Sequence, residues 1–380
     1  MYKHIYIFLF GSLLITSCKK EGCTDPTALN YNAEAKKNDG TCTYFQLNIP
    51  TNYTFMDNGH STVSYSGQTD RLNQLTEMIT YIKTGSTTIL SATALKDMFS
   101  NTAGNGGGNF TFTSTKQLKD KCLFADTTLL ISYLDSAAVA SQSFAITAAP
   151  GQAGVLTSGT SSYLFAANGM EYREIFEKAA MGAILLYQAT QVYFGSDEMS
   201  ADNTNAVDPG AGQYYTAMEH HWDEAFGYFG VPVDFPTNIT GIKFWGKYCN
   251  SRDADLGCNA IMMDAFIRGR AAISQDALTI RDEEILKLRK MWEKIVAAQA
   301  VFYLEEAKTN FGVDNAKFLH QLSEGYGFIA ILKYVPLETR VISYTQIDDL
   351  LTNTIGADFW SVTQTDLTNA INSLNSIYGF

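Results

Sequence analysis

The sequence predicts an all-α fold of duplicated helical bundles, preceded by an export signal and a small cysteine-stapled module. Three observations predict it. Apolar residues recur at helical spacing from Thr69 to the end of the chain. Strand-type alternation is confined to short runs near 61–66 and 109–113. A nine-residue pattern occurs twice, one hundred positions apart. The 380 residues are 46% hydrophobic and 17% charged, which excludes wholesale disorder and a pure coiled coil. With 27 basic against 39 acidic residues the formal charge is −12. Such a chain gains nothing from counterion release on a phosphate backbone, so nucleic acid is not expected as a partner.

The chain opens on a short leader. Lys3 supplies positive charge, and Ile5 to Ile15 form an apolar stretch too short to span a bilayer but of signal-peptide length. It runs into Ile15-Thr16-Ser17-Cys18, which resembles a bacterial lipobox. The resemblance implies cleavage after residue 17 and lipid on Cys18, with Cys18 as the only membrane anchor. Ala179 to Phe194 is the next most apolar segment, and Gln188 and Gln191 interrupt it. Lys19-Lys20-Glu21 loosely resembles the charged tag of Bacteroidota surface lipoproteins. The expected location is the outer membrane, on either face.

Export permits disulfides. Residues 22–44 resemble a Cys-flanked module of Bacteroidota surface proteins, with Cys23 and Cys42 at its ends. Joining them closes a loop of about 20 residues, worth roughly 3 kcal/mol in the chain-entropy model. Asp25, Asn30, Asn32 and Asp39 offer oxygen to calcium, or serve as turn formers. Cys249 and Cys258 flank a short polar segment that reads as a second stapled loop, leaving Cys122 over and buried.

From residue 46 the pattern is helical. Leu72, Leu75, Met78 and Ile82 mark a first helix ending near Gly85. Further helices are expected over 91–100, 127–143, 170–194, 214–229, 259–275, 282–311, 315–334, 345–354 and 364–377. In 282–311, Ile285, Leu288, Met291, Trp292, Ile295, Ala298 and Phe302 form one stripe, with Lys287, Lys290, Glu293 and Lys294 opposite. Gly104 and Gly106–Gly108 precede no Lys-Ser/Thr helix start, so a phosphate loop is rejected for a flexible one.

The repeated pattern is His220-His221-Trp222-Asp223-Glu224-Ala225-Phe226-Gly227-Tyr228 and His320-Gln321-Leu322-Ser323-Glu324-Gly325-Tyr326-Gly327-Phe328. Phe176-Glu177-Lys178-Ala179 loosely parallels Phe266-Ile267-Arg268-Gly269. Two pseudo-repeats meeting near 240–258 are expected. Three of the four histidines beyond the leader lie in the repeats. His220 and His221 can each share a helix face with Glu224, and His320 with Glu324. Imidazole and carboxylate together suit iron, zinc or another first-row metal, with Glu171 and Glu219 as further oxygen donors. The competing reading is a buried His–Glu pair that locks helices together. Trp222, Phe226, Tyr228, Trp245 and Tyr326 read as core aromatics.

An exported, duplicated helical chain with His221-Trp222-Asp223-Glu224 resembles the imelysin-like, iron-regulated envelope proteins. It resembles more closely an uncharacterised Bacteroidota lipoprotein family, through Tyr-Ser-Gly-Gln (65–68), Asn-Gly-Met-Glu-Tyr (168–172), Met-Glu-His-His-Trp-Asp-Glu-Ala-Phe-Gly-Tyr (218–228) and Ser-Glu-Gly-Tyr-Gly-Phe (323–328). The first resemblance implies paired four-helix bundles and a part in iron uptake, with an outer-membrane transporter or imelysin-like protein as partner. The chain departs from the imelysin signature Gly-x-His-x-x-Glu, since Glu219 stands at the glycine position and His320 lies four before Glu324. No His-Glu-x-x-His, Gly-x-Ser-x-Gly elbow or Cys–His pair is evident, so no enzyme is expected. The expectation is a metal- or metal-compound-binding lipoprotein of an uptake system. The alternative is a glycan- or peptide-binding surface lipoprotein.

Overall fold

The computed structural model describes residues 19–380; Cys18 and the leader lie outside the described residues. The chain divides into two compact units, Met1–Asn48 and Ile49–Phe380. In the first, Glu21–Gly22 pairs in parallel with Lys37–Asn38, and Cys23 is bonded to Cys42 as expected. The four residues considered for calcium each accept a backbone hydrogen bond within this unit, three of them in local turns. Asp25 Oδ1 accepts from Thr27, Asn32 Oδ1 from Glu34 and Asp39 Oδ1 from Thr41, while Asn30 Oδ1 accepts the Thr43 N–H.

The second unit is mostly helical. In order it contains α1 (Ser66–Lys83), α2 (Ala92–Phe99), α3 (Thr127–Ser141), α4 (Tyr172–Ala180), α5 (Ala217–Phe229) and α6 (Trp245–Leu256). Then come α7 (Cys258–Ser274), α8 (Leu278–Asn310), α9 (Asn315–Ile331), α10 (Tyr344–Asp348) and α11 (Gln364–Tyr378). α4 runs on through wide π-turns over Met181–Leu186 and Gln188–Tyr193, so the expected 170–194 helix is continuous but not regular. No helix among the described residues is long and apolar enough to cross a membrane.

The long α8 packs against α7, α9 and α11, and α4 lies against α9. Trp222, Phe226, Tyr228 and Trp245 are fully buried, as expected of core aromatics, together with Phe266, Trp292 and Phe328, whereas Tyr326 is only half-buried. Trp245 and Trp292 meet edge-on, with ring centroids 5.9 Å apart. Close approach needs glycine: a Cβ on Gly269 would fall 2.2 Å from the Trp222 ring. Glu293 is a correction to the stripe of the long helix. It is buried and accepts the Val341 N–H and the Tyr378 hydroxyl, so it ties α8 to α11 and to the loop before α10.

The expected loop around Cys249 and Cys258 is instead helix. α6 ends at Gly257, whose φ of 60° is the left-handed geometry that lets α7 begin at the next residue. Cys249 and Cys258 are not a disulfide in this structure but two buried free thiols. Cys258 Sγ donates to the Cys249 carbonyl at 3.1 Å, and Cys249 Sγ to Asn259 Oδ1 at 3.3 Å. Cys122 is buried and free.

Strands are few. The run near 61–66 contributes only His60–Ser61, paired with Met56–Asp57, and 109–113 forms no strand. Two antiparallel ladders were not anticipated: Gly154–Ser158 with Ser161–Phe165, and Ala206–Asp208 with Gln213–Thr216. The glycine-rich segment forms two single 3-10 turns, with the Asn101 side chain bonded to Gly106 N and to the Ser114 and Lys116 carbonyls.

Candidate functional site

α5 starts at a capping box. Thr216 Oγ1 accepts the Glu219 N–H while Glu219 Oε2 accepts the Thr216 N–H. Glu219 Oε1 binds Arg270 Nη1 and the Ser274 hydroxyl. Glu219 is therefore committed to the helix start and to a buried guanidinium. The same Arg270 binds Asp223, which also accepts from the Tyr53 hydroxyl and the Ser64 N–H. Burial pushes the Asp223 carboxyl up to about 6 despite Arg270 beside it.

One turn on, the helix presents its histidines. His221 stands between two carboxylates, with Nδ1 3.2 Å from Glu224 Oε2 and Nε2 2.8 Å from Glu198 Oε2. Glu224 Oε1 accepts from Gln68 Nε2 at 2.8 Å and the Tyr193 hydroxyl at 3.0 Å. Burial raises the Glu224 carboxyl, but the His221 hydrogen bond, the nearby His220 and the Gln68 amide together hold it below the usual range. Glu198 sits on a short turn that lines a cleft of about 540 Å³, together with Asp197, Arg289 and Glu338. Among the described residues, no Lys or Arg forms an ion pair with Glu198 or Glu224. His220 Nδ1 lies 3.0 Å from the Ser64 carbonyl, and its ring stacks on Tyr215 at 4.6 Å. Burial lowers its proton affinity, which favours neutral imidazole.

The second copy of the pattern is arranged differently. His320 Nδ1 lies 2.7 Å from Glu171 Oε2, and its ring stacks on Tyr163 at 4.6 Å. Arg173 binds Glu171 and Glu174. Lys178, with no exposed surface, reaches Glu174 at 2.9 Å, Glu177 at 3.1 Å and Glu324 at 2.6 Å. Burial opposes the His320 charge, but the Glu171 carboxylate outweighs it and raises the imidazole. Burial and the neighbouring Glu174 push Glu324 up to about 8, against the pull of Lys178.

The family described as "Domain of unknown function (DUF4856)" matches residues 50–380, nearly all of the second unit. The chain belongs to this family. No curated protein and no solved structure is significantly similar to it.

Within the DUF4856 domain the seven candidate ligands thus fall into two separate groups. His220, His221 and Glu224 gather on α5, with Glu219 turned to Arg270; Glu171, His320 and Glu324 gather between α4 and α9. Glu198 was missed, because no spacing rule links a loop carboxylate to a helix 23 residues away. Gln68 and Lys178 were also missed. Their roles depend on helix contacts that periodicity does not specify. In the sequence parallel of 176–179 with 266–269, Phe176 and Phe266 are both fully buried, but Arg268 is half-exposed against Glu284, whereas Lys178 is buried.

Proposed function

We propose that this DUF4856 protein is an imelysin-like, envelope-anchored lipoprotein that captures iron, another first-row metal or a metal compound for an uptake system. Cys18 would carry the lipid, and the protein would pass its cargo to an outer-membrane transporter or an imelysin-like partner. One observation carries the reading: His221 has a carboxylate on each ring nitrogen, and neither carboxylate is ion-paired to a Lys or Arg, Lys121 acting on both only from beyond ion-pair distance. In metal sites a carboxylate on one imidazole nitrogen commonly orients the ring while the other nitrogen takes the metal. Glu224 fits the first role on Nδ1. Nε2 of His221 and Glu198 then form a two-donor mount at the acidic cleft, beside His220. So few protein donors leave positions for water or a chelating compound, which suits capture and release better than permanent retention. The reading involves no catalysis.

The test is element analysis of the purified chain, followed by calorimetric titration with ferrous, ferric and zinc ions at pH 7.5 and pH 5. Binding near one ion per chain that weakens in His221→Ala and at pH 5 is expected, because protons compete for the imidazole lone pair. A chain that binds none of these ions at pH 7.5 overturns it. The glycan or peptide alternative draws on a different feature. A groove of about 460 Å³ sets the part-exposed Tyr65 beside Ser61, Ser64 and Thr69, an aromatic ring among hydroxyls. Binding there to a neutral glycan would not change between the two pH values.

A further inference from the structure

Gly227 and Gly327 occupy the same position in the two copies of the pattern, and each is pressed by a side chain from a neighbouring helix. A Cβ on Gly227 would lie 2.8 Å from Cβ of Gln68, and a Cβ on Gly327 would lie 2.7 Å from Cβ of Lys178. The same two side chains then reach the glutamate three residues earlier in each copy. Gln68 Nε2 meets Glu224 at 2.8 Å, and Lys178 Nζ meets Glu324 at 2.6 Å. Gln68 and Lys178 are therefore counterparts, one a neutral amide and the other an ammonium.

The consequence is electrostatic. Glu171, Glu174 and His320 bring ligand atoms within 4.8 Å of one another, an arrangement with the reach to hold a metal ion. Every carboxylate oxygen there is already engaged. Glu171 Oε1 takes Arg173 and Oε2 faces His320; Glu174 Oε1 takes Arg173 and Oε2 takes Lys178. Beyond Glu174, Lys178 also meets Glu177 and Glu324, so its ammonium is surrounded by three carboxyl groups as a bound cation would be. Glu224, by contrast, receives only an amide, a phenol and an imidazole. Glu224 is only part-buried, and the Lys121 ammonium acts on it from beyond ion-pair distance, so its oxygens keep room for an added cation.

We propose that Lys178 is a tethered cation that permanently fills the α4–α9 carboxylate cage, so that only the α5 half exchanges metal with solvent. This deepens the metal-capture reading and rests on it for the α5 half, while the filled cage is testable separately. Lys178 thus sets which half is selective for exogenous cations, and Gln68 keeps the other half open.

The experiment compares the full chain, Lys178→Met and Gln68→Lys by zinc titration and element analysis, with thermal melting as the check on folding. Lys178→Met is expected to bind one zinc ion more per chain than the wild type, whatever the wild type binds. Gln68→Lys, which places an ammonium against Glu224, is expected to weaken wild-type binding at least about 100-fold. If Lys178→Met fails to fold, Gln68→Lys and His320→Ala decide, the latter being expected to leave zinc affinity unchanged. Equal stoichiometry in Lys178→Met and wild type overturns the tethered cation, as does a loss of zinc affinity in His320→Ala. A wild type without zinc and a Lys178→Met with one ion would instead overturn only the capture reading.

Discussion

Oε2 of Glu198 lies 2.8 Å from Nε2 of His221, and the two residues come from a loop turn and a helix that share no sequence pattern. Removing this carboxylate tests the mount without disturbing the core, because Glu198 is about a third exposed. Glu198→Ala is expected to weaken zinc binding about 100-fold, and Glu224→Gln, which disturbs only ring orientation, about 10-fold. Both should melt close to the wild type. Titration calorimetry with parallel melting curves measures this, and an unchanged affinity in Glu198→Ala would remove it from the site.

The α4–α9 seam should lose stability as pH rises. Glu324, pushed up to about 8, and His320, also raised, hold protons more tightly in the folded protein than in the unfolded chain. Such groups contribute fully below their unfolded pKa and lose that contribution as pH climbs through the folded value. For Glu324 the window runs from about 4.5 to about 8. The wild type should therefore become easier to unfold by urea between pH 5 and pH 8.5. Glu324→Gln, which mimics the neutral acid, should show a smaller decline over the same interval. Equal declines in the two proteins would refute this assignment.

The thiols make a simpler forecast. Unfolding in guanidinium with an alkylating agent and no reductant should label Cys122, Cys249 and Cys258, while the peptides of Cys23 and Cys42 stay linked. In the native protein the three should label slowly, since burial keeps them from reagent and pushes Cys122 up to about 11. A cross-linked Cys249–Cys258 peptide in mass spectrometry would contradict the free pair seen here.

Much of the fold was legible because helical periodicity is local. The expected helical spans fall on real helices, and Thr216-Ala217-Met218-Glu219 carries the spacing of a helix start in four consecutive residues. The error at Cys249–Cys258 had a physical origin. Two cysteines around polar residues look like a staple, but a left-handed glycine turns that segment into a helix-to-helix joint. The two small ladders were missed because strands of five residues or fewer carry little alternation, and each supplies the tyrosine on which a repeated histidine stacks.

The sequence by itself determined the helical class, the repeated pattern around His220 and His320, and the acidic balance of the chain. These depend on composition and on residues a few positions apart. Only the tertiary structure decided that Glu219 serves Arg270, that Glu198 joins His221, and that the Lys178 ammonium meets Glu324 while the neutral Gln68 amide meets Glu224. Those outcomes depend on which helices touch and on what charge arrives from a distant part of the chain, and hydrophobic spacing carries no record of either.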